Sequence, residues 1–163
     1  GCASLRRKMQ LEKLFPQATV APVRGNVLTR LRKLDEGQYA ALVLAGAGLK
    51  RLGLEGRICR WFSTEEILPA AGQGIMAAQM RAGEDTSFLD AFSDAEGTAC
   101  ALAERAFVRE LDGGCSSPVA AFATISGDTM TLTGMNVSGV KDTITGPVSE
   151  AAALGIALAK RLR

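Results

Sequence analysis

The sequence contains no histidine and few aromatic residues. Phe, Trp and Tyr make up only 5% of the 163 residues, with a single Trp and a single Tyr. Without histidine, these residues cannot supply the Ser-His or Cys-His pairs that activate most hydrolase nucleophiles, and they lack the commonest metal ligand. We therefore expect no metal site, and we expect a reactive cysteine here to work without a histidine base.

Cysteine pairs and long apolar runs are also missing. The four cysteines form no CxxC pair and are widely and irregularly spaced, so we predict neither a zinc site nor a disulfide framework: Cys2, Cys59, Cys100 and Cys115. This usage favours a reducing compartment, and we expect a cytoplasmic protein. No apolar run approaches the roughly 20 residues that a membrane span needs, so we expect no membrane partner.

The net charge of +2 conceals two regions of opposite sign. Residues 1–60 hold 12 Lys and Arg against 4 Asp and Glu, whereas residues 61–163 hold 7 against 13. Eight of the 12 cations are arginines, whose planar guanidinium binds a carboxylate or a phosphate at two points. With so few aromatics and no recognisable nucleic-acid-binding motif, we expect no nucleic acid and favour a small ligand with several carboxylates.

Helix signals are clear in the first half of the chain. Ser4 is a favourable cap for a helix over residues 5–15, and Asn26 is a favourable cap for a second helix, which Gly37 ends. Residues 46–48 open a short third helix.

Three segments of the same half predict strands. Residues 19–23 are short and β-prone, and residues 39–45 are apolar throughout, as in a strand buried on both faces of a parallel sheet. Residues 75–80 predict one more strand. Helix and strand alternating with short connections indicate an α/β fold.

The second half predicts an α+β module. Residues 87–92 form a short helix, and a longer helix begins at Asp94, with its buried face formed by Ala99, Leu102, Ala106 and Phe107. Three β-rich segments separated by glycine turns predict an antiparallel meander over residues 119–125, 130–137 and 143–148. An alanine-rich helix from Glu150 onward would cover the meander.

Cys115 stands on a glycine loop between the long helix and the meander. Gly113 and Gly114 leave the backbone free and the thiol unscreened, and Pro118 prevents a helix from continuing. Such a thiol is available for covalent chemistry. The alternative is a small apolar residue in a turn.

Several arginines fall at predicted strand-to-helix turns. In parallel α/β sheets, ligands bind outside the carboxyl ends of the strands, so these cations could converge on one anion: Arg6, Arg7, Arg24 and Arg51. Arg30 lies within the first turns of the second predicted helix. The alternative is a solvated basic surface, to which we assign Arg32, Lys33, Arg57 and Arg60.

Five motifs together resemble one enzyme family. In order and spacing, the chain is similar to hydroxymethylbilane synthases (porphobilinogen deaminases) at residues 4–7, 24–35, 44–53, 68–74 and 113–115. The resemblance implies a transferase of tetrapyrrole and haem biosynthesis that deaminates four porphobilinogen units and condenses them head to tail on a dipyrromethane cofactor.

The resemblance also implies a fold and a domain division. We expect residues 1–74 to form part of a periplasmic-binding-protein-like α/β central domain, residues 75–92 a crossing segment, and residues 93–163 a C-terminal α+β domain with a three-stranded antiparallel sheet. On this comparison the chain is a fragment of a monomeric enzyme. We expect it to be inactive alone, because the family's catalytic aspartate matches no residue here.

Site residues follow from the same resemblance. Cys115 would hold the cofactor by a thioether, and the other cofactor-binding residues would be Ser4, Arg6, Arg7 and Arg30. The substrate-binding residues would be Arg24, Asn26, Arg30, Arg51, Gln73 and Gly74. Cys2 and Ala3 depart from the family, which usually has hydroxyl residues there. The alternative function is a non-catalytic anion-binding module of periplasmic-binding-protein type, which would have no use for a covalent tether.

Overall fold

The computed structural model describes residues 1–114 and 117–163. These residues divide into two compact units, Gly1–Leu68 with Ser117 and Pro118, and Pro69–Gly114 with Val119–Arg163. Among the described residues, every strand lies in the second unit, where helices cover a three-stranded antiparallel sheet. The predicted mixture of helices with a three-stranded antiparallel sheet is confirmed.

The first unit is built from short helices that begin as the sequence predicts. Its helices are α1 (Leu5–Leu14), α2 (Val27–Asp35), α3 (Gly46–Arg51) and a 3₁₀ turn (Glu55–Arg57). Ser4 Oγ caps α1 by accepting from the Arg7 N–H, and Asn26 Oδ1 caps α2 by accepting from the Thr29 N–H. Gly37, with φ of +75°, follows the end of α2.

The strands predicted in this half do not form. Residues 19–23, 39–45 and 75–80 lie outside any helix or strand, and residues 40, 41 and 45 are exposed rather than buried. The Gly1 amino group donates to Ala41 O (2.7 Å) and the Val43 N–H donates to Gly1 O (3.0 Å), as in a parallel ladder.

The second unit follows its predicted order closely. A 3₁₀ helix (Ser87–Phe92) precedes α4 (Ala95–Glu110), which Asp94 caps, and α5 (Ala151–Arg161) closes the unit after a 3₁₀ turn (Val148–Glu150). Between α4 and α5 lie the strands β1 (Ala120–Ser126), β2 (Thr129–Met135) and β3 (Lys141–Pro147), in spatial order β1-β2-β3. The predicted meander is confirmed, with ends shifted by one to two residues.

The core of the second unit lies between the sheet and its two long helices. Phe107 of α4, Leu132 of β2 and Leu158 of α5 are completely buried there. Gly155 of α5 allows a close helix crossing, because a Cβ at this position would lie 2.2 Å from Ala103 O of α4.

The prediction that Leu102 lies on the buried face of α4 is wrong. Leu102 is 54% exposed, because the helix instead turns Ala103, Glu104 and Phe107 inward. Within residues 1–114 and 117–163, every helix is too short or too polar to cross a bilayer.

Candidate functional site

Three neighbouring segments lead into the three α-helices of the first unit. The Cys2 N–H donates to Ala21 O (2.9 Å), while Gly1 bonds to Ala41 and Val43 on its other side. From these segments α1, α2 and α3 each begin within six residues. None of the three helices has an acidic residue in its first turn, where carboxylates normally stabilise a helix. The positive ends of these three helix dipoles are therefore not neutralised by a carboxylate of the helix's own first turn.

Arg6 and Arg7 occupy the first turn of α1 but have different surroundings. Arg6 is buried, and its Nη1 donates to the backbone oxygen of Leu68, which also accepts from Gln10 Nε2. Burial, and then the charge of Arg7, lower the pKa of Arg6 to about 10, so it remains protonated at neutral pH. Arg6 thus joins α1 to Leu68, whereas Arg7 is half-buried beside the Ser4 cap.

Arg24 lies on the loop before α2, and Arg30 lies within α2 and bonds back to this loop. Gly25 has φ of +115°, a conformation that favours glycine, and a Cβ there would lie 2.7 Å from Thr29. Arg30 Nε donates to Gly25 O (2.7 Å), and Lys33 Nζ donates to Arg24 O (3.2 Å). These bonds fix the loop through its carbonyls and leave the end of the Arg30 guanidinium and the whole Arg24 guanidinium to other partners.

Arg51 is not at a strand-to-helix turn as the sequence suggested. It is the last residue of α3 and is exposed. The helix starts at Gly46, where the ring of Trp61 packs so closely that a Cβ would lie 2.2 Å away. The sequence placed Arg51 near the start of the helix, but α3 is only six residues long, so Arg51 already lies in its last turn.

Ion pairs divide the arginines of the first unit into two groups. Arg32 pairs with Glu36, Arg57 with Asp35, and Arg60 with Glu66. Within the part of the chain that the structure describes, no carboxylate pairs with Arg7, Arg24, Arg30 or Arg51. The paired group consists of arginines that the sequence assigned to the solvated surface. The unpaired group consists of predicted anion ligands.

Gln73 and Gly74 lie on a glycine turn in the second unit. The Gln73 N–H donates to Ala70 O (3.0 Å), and Gly72 and Gly74 have φ of +71° and +92°. The Gly72 N–H donates to Glu104 Oε2 (2.6 Å), which ties the turn to α4. The predicted glycine turn is therefore present, but its residues belong to a different unit from the arginines.

Cys115 lies outside the described residues, as does Ser116. Ser117 and Pro118 group with Gly1–Leu68, the unit that carries the unpaired arginines. Gly113 precedes the loop, and its N–H donates to Val108 O (2.8 Å) at the end of α4.

The first unit carries several hydrogen-bond donors suited to carboxylates. Guanidinium groups without carboxylate partners offer two-point hydrogen bonds to such a ligand. Ser4 and Asn26 use their oxygens for the caps, but the Ser4 hydroxyl hydrogen and the Asn26 Nδ2 can still donate to an anion. This donor set fits the acetate and propionate groups of a dipyrrole. No cluster of His, Cys, Asp and Glu suited to a metal occurs in the described ranges.

Sequence reasoning missed two polar residues that hold these segments in place. Gln10 is buried in α1 and bonds both to the Leu68 N–H, through Oε1 (2.8 Å), and to Leu68 O. Glu104 is buried in α4 and accepts from the Gly72 and Ala123 N–H groups. Glu104 gave no signal in the sequence, because the predicted buried face of α4 passed through Leu102 and Ala106 rather than through Glu104.

Two family models together match most of the chain. Residues 1–89 match "Porphobilinogen deaminase, dipyromethane cofactor binding domain", and residues 98–163 match "Porphobilinogen deaminase, C-terminal domain". The two ranges cover four of the five predicted motifs in the first match and the Gly-Gly-Cys loop in the second.

Curated proteins similar to the chain carry the same family name. The chain is 51% identical to the porphobilinogen deaminase of Ruminiclostridium josui and 52% identical to that of Alkaliphilus oremlandii, over the whole chain and 58% and 56% of the relatives. It is 45% identical to that of Chromobacterium violaceum, over 99% of the chain and 55% of the relative. The chain therefore spans a little more than half the length of these relatives. Identity at this level over the whole chain, together with the two family models, confirms the resemblance seen in the sequence: this protein belongs to the porphobilinogen deaminase family.

Proposed function

We propose that this chain forms the cofactor-holding part of a hydroxymethylbilane synthase, a transferase of tetrapyrrole and haem biosynthesis. Such an enzyme deaminates four porphobilinogen units and condenses them head to tail into hydroxymethylbilane. The observation that carries the proposal is the set of arginines without carboxylate partners, Arg7, Arg24, Arg30 and Arg51, in a chain that matches the family's cofactor-binding domain.

The chain's own residues would act mainly by binding and orienting carboxylates. Each pyrrole of the cofactor and the substrate carries an acetate and a propionate, so several rings in one cleft bring many negative charges together. Arg6, Arg7 and Arg30, with the Ser4 hydroxyl, would hold the cofactor. The incoming porphobilinogen would be held by Arg24, Asn26, Arg30, Arg51, Gln73 and Gly74.

Cys115 would anchor the dipyrromethane by a thioether. When bound, this group supplies the terminal pyrrole to which the next ring is added. Support comes from the Gly113-Gly114-Cys115 motif, which falls within the match to the family's C-terminal domain, and from the grouping of Ser117 and Pro118 with the arginine-bearing unit. A thiolate sulfur captures a carbon electrophile without a histidine base, which suits a chain without histidine.

The finer architecture belongs to the same proposal. We assign residues 1–74 to a periplasmic-binding-protein-like central domain, residues 75–92 to a crossing segment and residues 93–163 to the cofactor-attachment domain. The alternation of short helices with neighbouring backbone segments in the first unit supports the first assignment. We further propose a cytoplasmic, monomeric enzyme, on the basis of cysteine usage and the family.

The test uses a chimaera in which this chain replaces the matching part of the R. josui relative. The purified chimaera is examined by intact mass and assayed for hydroxymethylbilane. We expect a mass increase equal to two porphobilinogen units less two ammonia molecules, and multiple turnovers. The Cys115→Ser chimaera should fold but show neither the adduct nor turnover.

Two outcomes would contradict the proposal. A Cys115→Ser chimaera that still carries a covalent dipyrrole would move the anchor elsewhere. Reversible binding of porphobilinogen with no adduct and no product in the parent chimaera would instead favour the non-catalytic anion-binding module.

A further inference from the structure

We propose that Glu104 is the positioning residue for the substrate-side turn, residues 70–74. Its carboxylate would hold the backbone of this turn so that Gln73 and Gly74 meet the incoming ring in a fixed orientation. The inference rests on the proposed function, because that function places Gln73 and Gly74 beside porphobilinogen. No sequence motif pointed to Glu104.

The geometry is that of a bridge between three elements. Glu104 projects from α4 and is only 4% exposed. One carboxylate oxygen, Oε2, accepts from the Gly72 N–H at 2.6 Å, and the other, Oε1, accepts from the Ala123 N–H of β1 at 2.8 Å. A single side chain therefore fixes the glycine turn to both the helix and the sheet.

The same bridge protects the free edge of the sheet. β1 is an edge strand, and its Ala121 N–H donates to Pro69 O at 3.2 Å. Two residues further along the edge, the Ala123 N–H meets Glu104 rather than a backbone carbonyl. Glu104 thus takes the place of a ladder partner at the point where the chain leaves the strand edge and enters the turn.

Only a carboxylate has a hydrogen-bond acceptor at each of its two terminal atoms, one for the Gly72 N–H and one for the Ala123 N–H. A glutamine of the same shape would present its Nε2–H₂ group to one of the two backbone N–H groups, so one of the bonds would be lost. An aspartate would keep the charge but is one methylene shorter and cannot reach both amides. Glutamine therefore keeps the length of the side chain but removes its charge and one acceptor, whereas aspartate keeps the charge but shortens the side chain.

The turn itself depends on being held from outside. Gly72 and Gly74 both have positive φ and no side chain, and a Cβ at either position would touch nothing within 4 Å. Ala71 packs against the core of the second unit, so the turn has an apolar anchor as well as the Glu104 bond. Without Glu104, the glycines would let the backbone beyond Ala71 rearrange.

The experiment compares Glu104→Gln and Glu104→Asp with the matched control Glu110→Gln in the chimaera carrying its cofactor. Glu110 lies on the same helix and pairs with Arg163 at 3.3 Å, away from the turn. We expect both Glu104 variants to raise KM for porphobilinogen about ten-fold with kcat changed less than about two-fold, since uniform binding is lost. The control should keep the parent KM.

Backbone amide exchange gives a readout that does not need turnover. In the chain itself, the Gly72 and Ala123 N–H groups should both exchange slowly in the parent, and at least one of the two should exchange at least about ten-fold faster in Glu104→Gln. If both Glu104 variants fail to fold, the exchange rate of the Gly72 amide in the parent chain tests the proposal. A Gly72 amide that exchanges as fast as one in an open turn overturns it.

The outcomes distinguish a failure of this inference from a failure of the proposed function on which it rests. A parent chimaera with no adduct or product contradicts the proposed function, while amide exchange still tests the Glu104 bond. An active parent whose Glu104 variants melt at a lower temperature but keep the parent KM shows a purely structural role and overturns the positioning role.

Discussion

At the scale of single residues, carboxylate partners distinguish arginines that the sequence alone shows as one basic region. An arginine already paired with a protein carboxylate must give up that bond to bind another anion, whereas an unpaired arginine need not. Arg7 and Arg30 have no carboxylate partner among the described residues, while Arg32 and Arg60 pair with Glu36 and Glu66. The unpaired arginines are therefore the better ligands for an external carboxylate.

We predict that Arg7→Leu and Arg30→Leu weaken cofactor assembly or chain elongation in the chimaera. A charge-assisted hydrogen bond contributes about 1.5–3 kcal/mol, so each loss should weaken binding by roughly 10- to 100-fold. Intact mass reports stalled assembly, and porphobilinogen consumption reports elongation. Arg32→Leu and Arg60→Leu are the matched controls, and equal effects from all four variants would mean a diffuse positive field rather than a defined site.

The burial of the Glu104 carboxyl also leads to a prediction about stability. Burial raises the pKa of its carboxyl above the ordinary value near 4.5, against the opposing effect of the two N–H donors. Ionising Glu104 therefore costs more in the folded than in the unfolded chain, and its contribution to stability falls as the pH rises through its folded pKa.

The melting temperature of the parent minus that of Glu104→Gln should accordingly decrease as the pH rises from the ordinary carboxyl pKa near 4.5 through the higher pKa of the folded chain. Glutamine does not titrate, so any constant loss from its missing hydrogen bond cancels in the comparison across pH. A difference that grows with pH would mean that the hydrogen bonds to Gly72 and Ala123 outweigh the cost of burying the charge.

The sequence predicted residue types at the candidate site better than it predicted their surroundings. Guanidinium chemistry and the family motifs selected Arg7, Arg24 and Arg30, and within residues 1–114 and 117–163 no carboxylate forms an ion pair with them. Arg6 has the same chemistry, yet its guanidinium contacts Leu68 O, 62 positions away in sequence. Such a contact depends on tertiary packing, which local sequence does not encode.

At the scale of elements, a glycine sets the distance between α4 and α5. Gly155→Ala would place a Cβ 2.2 Å from Ala103 O and 2.9 Å from Ala106 Cβ, so the helices would have to separate. Overpacking of this kind costs about 1–3 kcal/mol, which exceeds or matches the roughly 1 kcal/mol that alanine gains in helix propensity. We predict a net loss of stability, measured by urea unfolding.

Gly48→Ala is the matched control because it makes the same substitution in α3. A Cβ at Gly48 would lie 3.6 Å from Val27, an ordinary contact, so the propensity gain of up to about 1 kcal/mol should be retained. Stabilisation by both substitutions would show that the α4–α5 crossing yields easily to an added methyl group.

Elements with strong local signals were predicted well, and elements that need distant partners were not. Ser4, Asn26 and Asp94 cap their helices as their side chains predict, and glycine turns separate the three strands of the meander. The segment 39–45 has the composition of a buried strand, but a strand also needs a neighbour along its length. Here the pairing extends only to Gly1, so composition alone was misleading.

At the scale of the whole molecule, the proposed anchor and the proposed anion ligands belong to different parts of the sequence. The arginine excess lies in residues 1–60, whereas Cys115 lies among residues 61–163, where acidic residues dominate. A covalently held, highly anionic cofactor would be repelled by the acidic part and attracted to the basic part. The proposed function therefore requires both parts of the sequence.

The two units also differ in their apolar cores. The second unit has one contiguous cluster of buried residues between its sheet and helices, including Phe107, Met130, Leu132 and Leu158. The buried apolar residues described in the first unit are fewer and come from short helices and loops: Cys2, Leu11, Val23, Leu31, Leu49 and Leu68. A domain folds alone when its own core is sufficient.

We predict that residues 69–163, produced alone, fold cooperatively but acquire no dipyrromethane on Cys115. The core supports folding, and the missing arginines deprive the growing dipyrrole of its carboxylate ligands. Circular dichroism during urea unfolding tests the first part, and intact mass after incubation with porphobilinogen tests the second, with the chimaera as the positive control. A folded 69–163 polypeptide that gains the same adduct as the chimaera would show that the arginines of the first unit are not needed to load the cofactor.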